Sequence, residues 1–264
     1  MIYILSIPNE HDHHTYDWLV KHKFYKFCFV VPAKFKDYYA KKFPKGKLMF
    51  HPDKVDSLSK AREWLLSKHK ENVWVIMACD NITKVTGAIK KLYSDPSRKD
   101  LANEYSPQRV VDTFNLMPAG SSLGLVGFAS NSNHYFRKNQ FSEVGFVWGK
   151  LVAMRSTKKV LWRHDLSGME DYAFTAEYLK AFGKVLILKW TYAHDKKVKG
   201  YLEVREKARQ FACKKLVEEY KGLYRYKERT GHAKNSELQM RFHSVEQIAK
   251  WRMQFTNLKS YVRT

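Results

Sequence analysis

Four short apolar runs in the first eighty residues constrain the fold of this chain more than any other feature. Residues 2–7 end at Pro8, residues 25–31 at Pro32 and residues 47–50 at His51 and Pro52, while residues 73–78 (Val-Trp-Val-Ile-Met-Ala) are apolar except at their flanks. Runs of this length, punctuated by proline, read as buried strands. Between them, residues 11–23, 35–43 and 57–69 carry apolar side chains at helical spacing. In the last of these, Leu58, Ala61, Leu65 and Leu66 form one face, and Asp56 or Ser57 is placed to cap it. Strand–helix alternation predicts parallel strands joined by helical crossovers, an α/β architecture. Ligands in such sheets bind at the carboxyl ends of the strands, so Asp80 and Asn81, which follow the fourth run, stand where chemistry is expected.

The remaining elements are less regular. Residues 145–154 read as a further strand, 170–183 as a helix ended by Gly183, 185–190 as a last strand, and 203–220 as a long amphipathic helix. Residues 245–254 read as helical. The polar stretch 94–100 is a linker, and 118–132 is rich in Gly, Ser and Ala.

Charge is the second constraint. The chain of 264 residues carries 48 Lys+Arg against 26 Asp+Glu, a net +22. Residues 196–264 hold 18 basic and 7 acidic side chains, an excess of 11 in 69 residues, whereas 101–150 is nearly neutral, with 4 and 3. Such an excess attracts polyanions, nucleic acid above all, with an affinity that weakens as salt rises. The alternative reading is a lysine-rich solvated surface. The neutral stretch fits an interior or a small-molecule site. With 44% hydrophobic residues the chain is not disordered, and no apolar run approaches the ~18 residues of a membrane span. The start lacks the basic flank of a signal peptide. Cys28, Cys79 and Cys213 are far apart and odd in number, which points away from a disulfide framework and toward a reducing, cytoplasmic setting.

Several motifs are absent: the phosphate-binding P-loop, the dinucleotide fingerprint, the Cys-x-x-Cys and His-x-Glu deaminase signature, and the Gly-x-Ser-x-Gly elbow. His11, His13 and His14 read as a polar loop at the ligand end of the first strand, with metal ligation the minority option.

Three segments carry a resemblance when taken in order. They are Ser59-Lys60-Ala61-Arg62 in the helix before the fourth strand; the strand Trp74-Val75-Ile76-Met77-Ala78-Cys79 with its tip Asp80-Asn81; and Glu170-Asp171 opening a helix, followed by a strand and then His194. This arrangement resembles nucleotide-sugar-dependent glycosyltransferases of the GT-A class, and more closely the TET-associated glycosyltransferase family, whose members are thought to add sugars to hydroxymethylated pyrimidines in phage DNA. The resemblance covers roughly residues 2–194. It implies a GT-A-like, Rossmann-like mixed and mostly parallel sheet flanked by helices at 1–195, with a basic helical extension at 196–264 packed on it. It implies a UDP-sugar donor bound by Ser6, Arg62, Asp80 and Asn81, and a Mn²⁺ or Mg²⁺ ion held by Asp80 and His194. It assigns catalysis to Asp171 with Glu170 beside it. The strict Asp-x-Asp pattern of the class needs a second carboxylate. Cys79 stands next to Asp80 instead, so a cation would rest mainly on donor phosphates.

The residue types suit that chemistry. A departing diphosphate needs positive charge, and the attacking hydroxyl needs a base. A carboxylate at a helix N-terminus is expected to stay ionised. The implied acceptor is the hydroxymethyl oxygen of 5-hydroxymethylcytosine in double-stranded DNA, whose glucosylation or arabinosylation would resist host nucleases. The base would have to be flipped out. Arg225, Lys227, Arg229, Lys234 and Arg241 are the phosphate-contact candidates, in a segment that interleaves aromatics with cations. No protein partner is implied. Each feature also has a plainer reading: Asp80 as a helix cap, Glu170 and Asp171 as ordinary first-turn acids, Arg62 as a solvated helix residue, His194 and Asp195 as a turn. The rival functions are a GT-A glycosyltransferase with a non-DNA acceptor and a non-catalytic, basic nucleic-acid-binding protein.

Overall fold

The computed structural model describes residues 1–6, 13–43, 47–87, 103–115, 122–130, 141–166, 168–196, 202–227 and 237–258. In chain order the strands are β1 (Ile2–Leu5), β2 (Phe27–Pro32), β3 (Lys47–His51), β4 (Trp74–Cys79), β5 (Ile82–Gly87), β6 (Asn103–Tyr105), β7 (Leu125–Phe128), β8 (Phe141–Ser142), β9 (Leu151–Arg155), β10 (Leu186–Leu188), β11 (Thr191–Asp195), β12 (Tyr224–Lys227) and β13 (Glu237–Met240). The helices are α1 (His14–Lys21), α2 (Lys36–Lys42), α3 (Leu58–Ser67), α4 (Pro107–Asn115), α5 (Glu170–Phe182), α6 (Leu202–Glu219) and α7 (Val245–Leu258).

The main sheet runs β3-β2-β1-β4-β9-β7-β10-β8. β1, β2, β3 and β4 are mutually parallel, as the alternation predicts. β9 then enters antiparallel between β4 and β7, and β10 lies parallel to β7. The protein is therefore a mixed α/β fold of Rossmann-like design, with helices on both faces. Side-chain alternation along the strands divides the core. Tyr3, Leu5, Val75, Met77, Val152 and Met154 face α3, α5, α6 and α7, while Ile2, Ile4, Ile76, Ala78 and Ala153 face Trp18, Tyr39 and Phe114.

Local chemistry explains the ends of the helices that matter here. Ser57 is extended and accepts the Lys60 amide at 3.3 Å, capping α3. Gly183 closes α5 at φ +81°, a left-handed conformation that glycine adopts freely. Arg252 on α7 adds to that closure by donating to the carbonyls of Lys180 (2.9 Å) and Ala181 (3.2 Å).

Three features depart from the sequence reading. β5 follows Asp80 and Asn81 at once and builds a small antiparallel sheet, β11-β5-β6, so Asp80 caps no helix and His194 and Asp195 lie in a strand. Residues 145–150 form a loop, and only 151–155 are strand. The C-terminal region holds both expected helices and, between them, the hairpin β12-β13. Among the described residues no helix is long and apolar enough to cross a membrane.

Candidate active site

The chain lays down β1, β2 and β3 outward in one direction, then places β4 on the other side of β1. That reversal is a switch point, and the crevice at the carboxyl ends of the two diverging strands is where ligands bind in this architecture. Ser6 follows β1, and Asp80 follows β4. Their side chains meet there: Ser6 Oγ donates to Asp80 Oδ2 at 2.6 Å. A hydroxyl has one proton, so the Tyr39 hydroxyl, 2.7 Å away, donates to Ser6 in turn. His13 Nδ1 lies 3.4 Å from Ser6 Oγ and 3.7 Å from Asp80 Oδ2, with its ring edge-on to Tyr39 and Phe43. His13 is buried, contrary to its expected place on a polar loop; the aromatic cluster of β2 and α2 encloses it.

Thr15, which the sequence reading passed over, holds the turn that presents Asp80. Its amide donates to the Asp80 carbonyl (3.0 Å), its hydroxyl donates to the Cys79 carbonyl (2.6 Å), and the same hydroxyl accepts the Ile82 amide (2.9 Å). Asn81 is tied to the end of β11 by its carbonyl, which accepts the Lys196 amide at 3.1 Å, and by its side-chain amide on the Lys196 carbonyl at 3.3 Å.

The second carboxylate comes from α5. Asp171 Oδ2 accepts the Gly149 amide at 3.0 Å, and Oδ1 faces Arg62 Nη1 at 3.4 Å. Arg62 Nη2 donates to the Gly149 carbonyl at 2.8 Å. Arg62 is 1% exposed, whereas the Asp171 side chain keeps 21% of its surface in contact with solvent. Burial, opposed by the Arg62 guanidinium, pushes the Asp171 carboxyl up to about 6. Desolvation is thus the largest influence on Asp171, and it opposes the helix-dipole effect expected from the sequence. Glu170 precedes it, with Oε2 buried and no hydrogen-bond partner among the described residues. The Cys79 thiol, pushed up to about 12 by burial, feels Arg62, Asp171, Asp80 and Glu170 together, so these groups converge on the end of β4. A thiol with so little thiolate character is no nucleophile.

Lys150 and Asp195 form a close ion pair that ties the start of β9 to β11, and the Lys150 ammonium lies 3.5 Å over the Trp148 ring. Nothing in the sequence spacing pointed to Gly149 or Lys150, which fall inside the strand expected over 145–154.

The metal expectation is not met in the form given. Among the described residues no group of three His, Cys, Asp or Glu side chains is placed to hold a metal. His194 Nε2 is instead bonded to the Thr86 hydroxyl at 2.9 Å, edge-on to Tyr192. The donor set near Asp80 is one carboxylate, hydroxyls and an imidazole, which does not complete a protein-only site.

Three of the nucleic-acid candidates, Arg225, Lys227 and Arg241, lie on or next to the C-terminal hairpin. Arg225 in β12 is exposed and reaches Gln239 Oε1 on β13 at 3.0 Å. Arg241 follows β13, also exposed. Lys227 ends β12, and Arg229 and Lys234 lie outside the described residues. Residues 131–135 also lie outside them.

No protein-family model and no curated protein matches the chain. Solved structures similar to it include residues 1–349 of S. aureus TarS, at 12% identity and a TM-score of 0.41. That match covers 82% of this chain and 66% of the other, slightly under two thirds of its length. A putative glucose-1-phosphate thymidylyltransferase from Bacillus anthracis, in complex with a sucrose, is similar at 9% identity and 0.44, over 80% and 94%. A 4-diphosphocytidyl-2C-methyl-D-erythritol synthase from Anaerococcus prevotii is similar at 10% identity and 0.42, over 80% and 95%.

Proposed function

We propose that the protein is a glycosyltransferase that moves a sugar from a UDP-sugar to the hydroxymethyl oxygen of 5-hydroxymethylcytosine in DNA. The observation that carries this reading is Asp171: a carboxylate at the ligand end of the sheet, reaching solvent, gripped on both oxygens and raised to about 6. A base with proton affinity near neutrality is suited to accept a hydroxyl proton at physiological pH. The acceptor oxygen attacks the anomeric carbon, the bond from that carbon to the diphosphate breaks with its electron pair leaving on UDP, and the hydroxyl proton passes to Asp171. Direct displacement inverts the anomeric centre. The Asp80 turn, at the switch point, would bind the nucleotide diphosphate. A Mn²⁺ or Mg²⁺ ion bound there would supply charge for the leaving diphosphate, with the phosphates furnishing most of its ligands.

DNA as acceptor is supported by the net +22 and by exposed Arg225 and Arg241 on one hairpin. The test is a transfer assay. Purified protein, duplex DNA containing 5-hydroxymethylcytosine, Mn²⁺ or Mg²⁺ and a panel of UDP-sugars are incubated, and digested nucleosides are read by mass spectrometry. A hexose or pentose mass gain is expected. No gain with any donor, despite DNA binding, would overturn the reading.

A further inference from the structure

Arg62 sits at the centre of the site, yet its surroundings give a substrate no access to it. The guanidinium is enclosed, with Nη2 on the Gly149 carbonyl, Nη1 toward Asp171 and the Phe174 ring 5.1 Å from its centre. Gly149 is bonded on both sides of its own residue: its carbonyl accepts from Arg62, and its amide donates to Asp171. A Cβ at Gly149 would run into Asp171 Oδ1 and Arg62 Nη2, so only glycine lets the three groups close on one another. Enclosing a guanidinium is costly unless it is paired and hydrogen-bonded; here Nη1 faces Asp171 and Nη2 donates to the Gly149 carbonyl, while the buried Nε has no hydrogen-bond partner among the described residues.

We propose that Arg62 and Gly149 are positioning residues, which hold the Asp171 carboxylate in one rotamer and favour its ionised form without touching donor or acceptor. The inference rests on the reading of Asp171 as the proton acceptor, and it removes Arg62 from the donor-binding set that sequence resemblance implies. Of the charged or titratable groups that face Asp171, Arg62 on α3 and Glu170 on α5 act on it in opposite senses, and Lys150 in the loop before β9 and Cys79 on β4 also lie within electrostatic reach. Of these, Arg62 touches the carboxylate and is the strongest influence holding its proton affinity down.

The experiment compares Arg62→Lys with the unaltered protein by steady-state transfer from UDP-glucose across pH. In parallel, the Asp171 carboxyl carbon is titrated by NMR, its signal assigned by its loss in Asp171→Asn. A misdirected base is expected to lower kcat about a hundredfold, with KM for UDP-glucose unchanged. Loss of the close guanidinium is expected to move the acid limb, and the Asp171 titration with it, upward by about one pH unit. A raised KM with an unmoved acid limb would mean that Arg62 contacts the donor, and would overturn the proposal. An Asp171 titration that stays put in Arg62→Lys overturns it whether or not the protein transfers sugar. A moved titration in a protein that transfers nothing keeps the clamp and sinks the glycosyltransferase reading instead. Should Arg62→Lys fail to fold, Gly149→Ala keeps every charge and gives the same readout: a moved titration supports the clamp, and an unmoved one overturns it.

Discussion

Asp80 and Asp171 converge on the same end of one sheet, and the chain holds them by different means. Asp80 accepts from the Ser6 hydroxyl, with Tyr39 behind it, the His13 imidazole 3.7 Å away and Thr15 holding the backbone of the turn. Asp171 is fixed by a peptide amide and an enclosed guanidinium. A neutral donor deprived of its acceptor costs roughly one hydrogen bond, about 1–3 kcal/mol. A buried cation deprived of its counter-charge costs more, about 3–5 kcal/mol. The two carboxylates therefore divide the work differently: one can be removed from a standing fold, while the other is part of what makes the fold stand.

The largest expected effect breaks that asymmetry if it fails. Asp171→Ala should abolish transfer and lower unfolding free energy by about 3–5 kcal/mol in a denaturant titration; a loss as small as that of a surface substitution would mean that Arg62 finds other partners. Asp80→Ala should abolish transfer with a smaller stability loss, about 1–3 kcal/mol, and DNA binding should survive in a filter or anisotropy assay. Full transfer activity in that variant would remove the donor site from the β4 turn.

The pH response sharpens the contrast further. With its carboxyl raised to about 6, folded protein holds the Asp171 proton more tightly than the unfolded chain. The stability this group lends is full below the ordinary carboxylate range and is lost as pH climbs toward 6. Transfer moves in the opposite direction, rising with pH as the base ionises. Asp171→Asn should flatten the stability trend between about pH 4 and 6, seen as a thermal midpoint less sensitive to pH than that of the unaltered protein. The smallest effect concerns the hairpin. Replacing Arg225 and Arg241 with Glu should weaken DNA binding and reduce the slope of log affinity against log salt by about one per lost phosphate contact. An identical slope would discard the hairpin as a DNA contact.

The parallel half of the sheet was legible in the sequence because its strands are covered on both faces and so read as unbroken apolar runs. α3 was legible with its cap narrowed to Asp56 or Ser57, of which Ser57 is the one used, and α5 was legible down to Gly183. The small sheet was not, since β5 reads Ile-Thr-Lys-Val-Thr-Gly, half of it polar. Of the site, the types and order of Asp80, Glu170 and Asp171 stood out, while the means of holding them did not. Gly149 looked like an interior residue of a strand, and its value lies in a contact with a helix twenty-two residues further along. The balance of desolvation against the helix dipole at Asp171 depends on what covers α5, which spacing along the chain does not encode.

The Arg252 contact at the end of α5 has a consequence for how the protein could be shortened. The helix that begins with Glu170 and Asp171 is finished, at its other end, by a guanidinium from α7. The C-terminal helix is thus a buttress for the helix that presents Asp171, although it lies far from it along the chain. A nested series of C-terminal truncations should lose activity in one step, as Arg252 is removed, and a tail grafted from another protein would succeed only if it returned a donor to those two carbonyls.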